Sequence, residues 1–202
     1  EVPLEITFVD LEQAGQARDE EALLVNIQQQ FQALARAQEV KEMAQSEMAE
    51  LEKWASLAVT PSALKHFKHL RAFVGSIPSS ENNQLNARLR DYPNLEVQEI
   101  FTSTTESGIL VLCKAETAKE MQAFLTDLGF KPFEYPFEEL PSERLTSLRE
   151  TIKEQETVIS STQTQLAASS KELQQLKFQL DYILNLTSRQ ESKEALASTQ
   201  NL

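Results

Sequence analysis

The residues best suited to chemistry in this chain are two histidines and a cysteine. His66 and His69 lie three positions apart, and Cys113 is the single cysteine among the 202 residues. This spacing would place both imidazoles on one face of a helix, but a zinc site needs further ligands, and Cys113 is the only soft candidate. We therefore interpret the histidines as surface residues and Cys113, in ILVLCKA, as a small apolar core residue.

The sequence contains no motif for catalysis or cofactor binding. It has no glycine-rich phosphate loop, no HExxH and no CxxC, and Ser76 stands in VGSIP rather than in a GxSxG elbow. Most carboxylates fall on predicted helix faces, where nothing marks one pair as a general acid and base. We predict no catalytic residue, no cofactor and no metal site.

Composition argues against two classes of partner. The net charge is −12 and the pI is about 4.7, so nucleic acid and anionic membrane surfaces would be repelled. A lone cysteine fits a reducing, cytoplasmic setting, and no apolar run reaches the roughly 20 residues of a spanning helix. Because the opening EVPLEITFVD has no initiator Met, we expect a piece of a longer protein.

Two long segments have the periodicity of coiled-coil helices. Residues 20–58 contain no Gly or Pro, and 3-4 spacing predicts a seam that slips in register after residue 34. Residues 141–187 keep unbroken 3-4 spacing. The predicted seam comprises Leu24, Ile27, Phe31, Leu34 and Leu51 in the first helix and Leu145, Leu148, Ile152, Ile159, Leu166, Leu173, Leu176, Leu180 and Ile183 in the second.

Between these helices the pattern changes to that of a small mixed domain. Strands are predicted at 70–78 and at 130–136, and two more surround a Ser107-Gly108 turn. Helices are predicted after the first and third strands, the second of them capped by Gly129. The order β-α-β-β-α-β is typical of ferredoxin-like domains.

Together these elements predict an α+β fold, in which a long antiparallel two-helix coiled-coil arm carries a ferredoxin-like (βαββαβ) α/β lobe. Alternation of Leu4, Ile6 and Phe8 adds a short strand at the start. The predicted segments are a strand and linker at 1–19, an outgoing helix at 20–58, the lobe at 60–137, a returning helix at 141–187 and a polar tail at 188–202.

Three short motifs lie in and beside the predicted lobe: VGSIP at 74–78, LGF at 128–130 and LP at 140–141. Their order and spacing resemble the cytosolic N-terminal part of subunit I of bacterial and archaeal rotary V-type ATPases, the counterpart of eukaryotic subunit a. The resemblance is carried by residues 60–187. The structural residues that it identifies in the lobe are Gly75, Pro78, Gly129 and Pro141.

This resemblance implies a non-catalytic stator component that resists rotor torque during ATP-coupled proton or sodium transport. It implies that residues 60–137 form a distal lobe and that residues 1–19 belong to a proximal one. The implied partners are the peripheral-stalk subunits and the membrane domain of the same full-length subunit, at the cytoplasmic face of the membrane. No nucleic acid or small-molecule ligand is expected.

Two other classes of protein share the predicted architecture. One is a free-standing coiled-coil adaptor or scaffold with an α/β recognition lobe, against which only the three motifs argue. The other is a small enzyme or ligand-binding regulatory domain, a role that ferredoxin-like folds often serve. No motif supports that second alternative.

Overall fold

The computed structural model describes residues 7–200, without the side chains at positions 187 and 200. These residues form the helices α1 (Phe8–Leu51), α2 (Pro61–Leu64), α3 (Asn82–Leu89), α4 (Ala118–Asp127) and α5 (Pro141–Gln200). They also form the strands β1 (Leu70–Pro78), β2 (Glu96–Thr102), β3 (Glu106–Lys114) and β4 (Lys131–Pro132). The fold class is α+β, as the sequence predicted.

Both long helices differ from their predicted bounds. α1 begins at Phe8, so positions 8–19 are helix rather than strand and linker, and the helix ends at Leu51 rather than at 58. Reciprocal hydrogen bonds between Thr7 and Asp10 cap this start. α5 continues to Gln200, through the segment predicted as a polar tail. The predicted strand positions before residue 7 lie outside the described residues.

The chain divides into two compact units. The lobe unit is Glu42–Lys153, and the helical unit consists of the described residues up to Lys41 and from Glu154 onward. α1 and α5 contribute residues to both units.

In the helical unit, the less exposed side chains of α1 follow 3-4 spacing with no slip. They are Val9, Gln13, Gln16, Glu20, Leu23, Ile27, Gln30, Leu34, Ala37 and Lys41. Leu24 and Phe31, which the sequence placed in the seam, are instead 45% and 57% exposed. Ala37 is buried and therefore lies on the inward face of α1. Counted back from Ala37 in steps of three and four residues, the same face contains Gln30 and Leu23 rather than Phe31 and Leu24.

The helical unit also contains a matching face of α5. Its less exposed residues are Gln155, Ile159, Thr162, Leu166, Ser169, Leu173, Leu176, Leu180 and Ile183. Lys41 of α1 forms a 3.4 Å ion pair with Glu156, whereas residues 19–26 of α1 share a groove with residues 172–179. The two helices are therefore antiparallel in this unit.

In the lobe unit, the four strands form one antiparallel sheet in the order β2-β3-β1-β4. α3 connects β1 to β2, which are separated by β3, and α4 connects β3 to β4, which are separated by β1. This is the split βαβ arrangement that the element order predicted.

The hairpin between β2 and β3 turns earlier than predicted. Ser107 and Gly108 lie within β3, and the chain reverses over residues 103–105. The Ser103 hydroxyl accepts hydrogen bonds from the backbone N–H groups of Thr105 and Glu106 at 3.4 and 3.1 Å. The Ser103 side chain therefore closes the turn. The Ser107-Gly108 pair predicted the turn four residues later.

Successive strand residues point to opposite faces, so the sheet is the middle layer of the lobe unit. The face covered by α3 and α4 is built from Ile77, Leu85, Ile109, Val111, Cys113, Met121, Leu125 and Leu128. The opposite face is covered by the nearby ends of α1 and α5 and the segment after α1, through Ala44, Leu51, Trp54, Leu57, Val74, Leu110, Tyr135, Leu145 and Leu148.

The motif residues occupy positions where backbone geometry restricts the side chain. Gly129 has φ +83°, and the hydrogen bonds Gly129 N–H to Thr126 O and Phe130 N–H to Leu125 O form a Schellman motif that ends α4. Pro78 is the last residue of β1. Pro141 is the first residue of α5, where its missing N–H costs nothing.

Gly75 allows β4 to approach β1 closely. A Cβ on Gly75 would overlap the carbonyl oxygen of Lys131 and the ring of Phe130. We expect Gly75→Ala to lower the free energy of unfolding by about 1–3 kcal/mol, because backbone must move to relieve the overlap. Denaturant unfolding followed by circular dichroism measures this change.

Gly15→Ala is the matched control for that substitution. Gly15 lies in α1 with nothing within 4 Å of the added Cβ. Alanine should therefore raise stability by roughly 0.5–1 kcal/mol through helix propensity. Equal effects of the two substitutions would contradict the close-approach explanation.

Candidate functional site: an aromatic junction and a basic groove

Trp54 is the centre of an aromatic cluster that joins the sheet to the helix ends of the lobe unit. It follows α1 directly and is 5% exposed. Its ring stacks on Phe133 with a centroid distance of 4.2 Å and meets the edge of Phe101 at 4.9 Å. Tyr135 extends the stack, 5.4 Å from Phe133. Such pairs add about 0.5–1.5 kcal/mol each beyond their buried area.

Two polar contacts join the segment around Trp54 to the strands. β2 has a bulge at Ile100, between Glu99 and Phe101, and the Ser56 hydroxyl donates a hydrogen bond to the Ile100 carbonyl at 2.9 Å. Lys53 forms a 2.8 Å ion pair with Glu106 at the start of β3. The hydroxyl thus satisfies a carbonyl at the site where the bulge disrupts the ladder.

The Lys53–Glu106 pair shifts the ionisation of both groups. The hydrogen bond from Lys53 lowers the pKa of Glu106 below its ordinary 4.5, and the same bond raises the pKa of Lys53 above 10.5. Each group thus favours the charged form of the other. The pair therefore contributes its full stabilisation between about pH 4.5 and pH 10.5, where both groups are charged in the folded and unfolded chain.

Arg144, in the first turns of α5, holds a second polar cluster. Its guanidinium lies 3.6 Å from the ring centroid of Phe137 and pairs with Glu139 at 3.0 Å and with Glu47 of α1. The hydrogen bond with Glu47 is the main cause of its raised pKa. One side chain thereby links α1, α5 and the 135–139 segment within the lobe unit.

Beside the aromatic cluster lies a groove of about 1160 Å³. One wall is the first half of β1. The other wall is the segment 130–136, which contains β4 and diverges from β1 after it. Residues 61–68 form the third side. Phe67, on this third side, is 50% exposed. The groove is therefore lined by aromatic and proline rings and is open to solvent.

The rim of this groove is basic in an otherwise acidic chain. Lys65, Lys68 and Arg71 line it, against the single carboxylate of Glu134. The sequence from 53 to 80 contains four cationic residues and no Asp or Glu. Neither Lys65 nor Lys68 has an ion-pair partner among the described residues. The groove thus attracts anionic groups.

The two histidines and the cysteine differ in their exposure to solvent. Cys113 is buried in β3, and burial raises the pKa of its thiol. His66 and His69 are exposed, and His66 lines the groove. Within the described residues, no three His, Cys, Asp or Glu side chains are arranged to hold a metal ion. In the same residues, no helix is both long and apolar enough to cross a membrane.

Sequence reasoning missed the groove, although its signal was present. The histidines suggest metal ligands, whereas the informative feature is the surrounding run without carboxylates. For the aromatic cluster, spacing along the chain indicates no ring partners of Trp54. Its partners are Phe101 in β2 and Phe133 directly after β4, and their meeting depends on the sheet order.

The aromatic junction should contribute strongly to stability. We expect Trp54→Ala to lower the free energy of unfolding by about 3–5 kcal/mol, because it removes a buried ring and leaves a cavity. Phe67→Ala, at an exposed ring, should change it by no more than about 1 kcal/mol. Denaturant unfolding monitored by circular dichroism compares the two, and a similar small loss in both would contradict the role of Trp54.

The Lys53–Glu106 pair should make stability depend on pH. Because the pKa of Glu106 is lowered in the folded state, its contribution is present above 4.5 and is lost as the pH falls through the folded value. We expect Glu106→Gln to cost about 0.5–1 kcal/mol at neutral pH and progressively less below 4.5. Glu96→Gln, at an exposed position of β2, is the control. A cost for Glu106→Gln that is independent of pH would contradict the pairing.

Comparisons with known proteins find a likeness among solved structures alone. No family model matches the chain, and no curated protein matches it. Among solved structures, the chain is similar to the crystal structure of the cytoplasmic N-terminal domain of subunit I, homolog of subunit a, of V-ATPase. The TM-score is 0.41 and the identity 13%, over 85% of this chain and 72% of that one. At these values the likeness carries no argument about fold, family or function.

Proposed function

We propose that this chain is a non-catalytic stator component of a rotary V-type ATPase, an arm that links the membrane ion-translocating domain to the peripheral stalk and resists rotor torque. Its partners would be the peripheral-stalk subunits and the membrane domain of its own full-length subunit. It would act at the cytoplasmic face of the membrane.

The observation that carries this proposal is the way the lobe unit fixes its sheet to the ends of two long helices. Force that enters the lobe at its surface can reach α1 and α5 through the covering layer on the second face of the sheet. That layer is a stacked aromatic cluster around Trp54 flanked by the Lys53–Glu106 and Arg144–Glu47 contacts. Close-packed rings and short polar contacts deform little under load.

The motif residues support the same role. Gly75 permits the tight β1–β4 pairing, Gly129 ends α4, and Pro141 starts α5. Each fixes the path of the backbone where the lobe meets a helix or a neighbouring strand. Residues of this kind define geometry and supply no reactive group, as a strut requires.

Within this proposal, the segments have separate tasks. The predicted distal lobe at 60–137 would meet the peripheral stalk, and α1 and α5 would form the arm. A continuous antiparallel seam supplies bending stiffness. Small or polar residues in the seam, such as Thr162 and Ser169, would permit local flexing.

The test is binding to the purified two-subunit peripheral stalk of the rotary ATPase from the same organism. We expect a dissociation constant of roughly 1 µM or tighter, about −8 kcal/mol. Hydrogen–deuterium exchange should show protection on binding within residues 60–137. Phe178→Ser, at a 75% exposed position of α5 in the helical unit, should leave the affinity unchanged.

Two outcomes would overturn the proposal. The first is no binding at about 100 µM, where a weak complex would still be detected, by a chain whose Trp54 fluorescence shows the native fold. This result would favour the free-standing adaptor. The second is protection confined to α5 beyond residue 160, which would remove the lobe as the stalk contact.

A further inference from the structure

We propose that the open edge of β1 takes up an acidic, extended segment of a partner protein, which pairs with Ala72 as a fifth strand of the sheet. This inference goes beyond the stator role and does not depend on it. It rests on the geometry of the strand edge, the space beside it and the charge around it.

The outer edge of β1 is paired over only part of its length. β1 pairs with β3 from Leu70 to Pro78, but β4 pairs only with Gly75 and Ser76. The last contact on this side is the hydrogen bond from Phe133 N–H to the Val74 carbonyl, at 2.8 Å. Before Val74, no described strand lies against this edge.

The direction of the backbone groups identifies which of them are available. The His69 carbonyl accepts from Ala115 N–H at 2.9 Å, so it points toward the β3 side. The Val74 carbonyl points toward the β4 side. Because direction alternates along a strand, the N–H and C=O of Ala72 also point toward the β4 side, into the groove.

Among the edge residues before Val74, Ala72 has the backbone groups that remain available for strand pairing, because Arg71 occupies the Leu70 carbonyl. Its guanidinium donates to the carbonyls of Phe67 and Leu70, each at 3.0 Å. The Leu70 carbonyl is thus already satisfied by a side chain, whereas the Ala72 groups are bonded to no neighbouring strand. An incoming strand would exchange both of its hydrogen bonds with Ala72, as strand-addition ligands do.

The groove provides room for such a strand. Its volume of about 1160 Å³ lies between β1 and the departing segment 130–136. The open stretch 70–73 is roughly 14 Å long at 3.4 Å per residue. Phe73, Phe133 and exposed Phe67 line the groove. These rings offer apolar contacts to alternate side chains of an added strand.

Charge selects the occupant. The rim carries Lys65, Lys68 and Arg71 against Glu134 alone, in a chain of net charge −12. An acidic segment would be repelled by most of the surface and attracted here. A second copy of this acidic chain is disfavoured for the same reason.

Lysines near a sheet edge have another known use, which is to prevent edge-to-edge aggregation. In that case the groove would bind no peptide of any sequence. The two explanations differ in measurable ways, because strand addition depends on backbone hydrogen bonds as well as on charge.

The experiment uses the whole 202-residue chain and a capped synthetic peptide of alternating valine and glutamate. We expect saturable binding by calorimetry, with slowed hydrogen exchange at the Ala72 amide. Methylating the backbone nitrogens of either all valines or all glutamates blocks one edge of the peptide. One methylated series should bind at least about tenfold more weakly, and the other should keep its affinity, since only one edge pairs.

Charge variants complete the test. Lys65→Glu with Lys68→Glu should weaken binding at least about tenfold, whereas Lys119→Glu, at an exposed position of α4, should not. Trp54 fluorescence verifies the fold of each variant. Absence of binding, equal loss in both methylated series, or equal affinity for a valine–lysine peptide would each overturn the proposal. Because no stalk subunit is used, these results stand apart from those of the stalk-binding test.

Discussion

The lobe depends on burial of the second face of its sheet. α3 and α4 cover only one face, and a four-stranded sheet with an apolar face in water would not be stable alone. The missing cover comes from residues outside the βαββαβ element itself, chiefly Trp54, Leu57, Leu145 and Leu148. The helix ends of the lobe unit are therefore part of its core, and the lobe cannot be separated from them without exposing that face.

Much of this fold follows from the sequence, because its signals are local. The periodicity of α5, the order of strands and short helices, and the cap at Gly129 can all be read from spacing and residue type. The inward face of α1 could not be predicted, because it contains Gln30, whereas the more apolar Leu24 and Phe31 are exposed. In a seam of alanines and polar residues, the packing of the opposite helix decides the register. β4 is shorter than predicted because Pro132 has no N–H and the next aromatic residues turn toward Trp54.

The candidate site was predictable only in part. Composition correctly describes an acidic chain, but a single net charge hides the positive stretch from 53 to 80. The groove also requires that β4 leave β1 after two residues, a feature of tertiary structure. The Lys53–Glu106 and Arg144–Glu47 contacts likewise join residues far apart in sequence. Spacing along the chain therefore gives no indication of them.

The Arg144–Glu47 contact also has a kinetic consequence. Its partners are separated by 97 positions, and the rings that surround Trp54 come from β2 and from the segment after β4. Closing such a long loop is entropically costly, and contacts of this kind slow folding. The helices can form early from local interactions, but the second face of the sheet can be covered only after the strands have assembled. We therefore expect the joint between sheet and helices to be the last part of the lobe unit to acquire its native contacts.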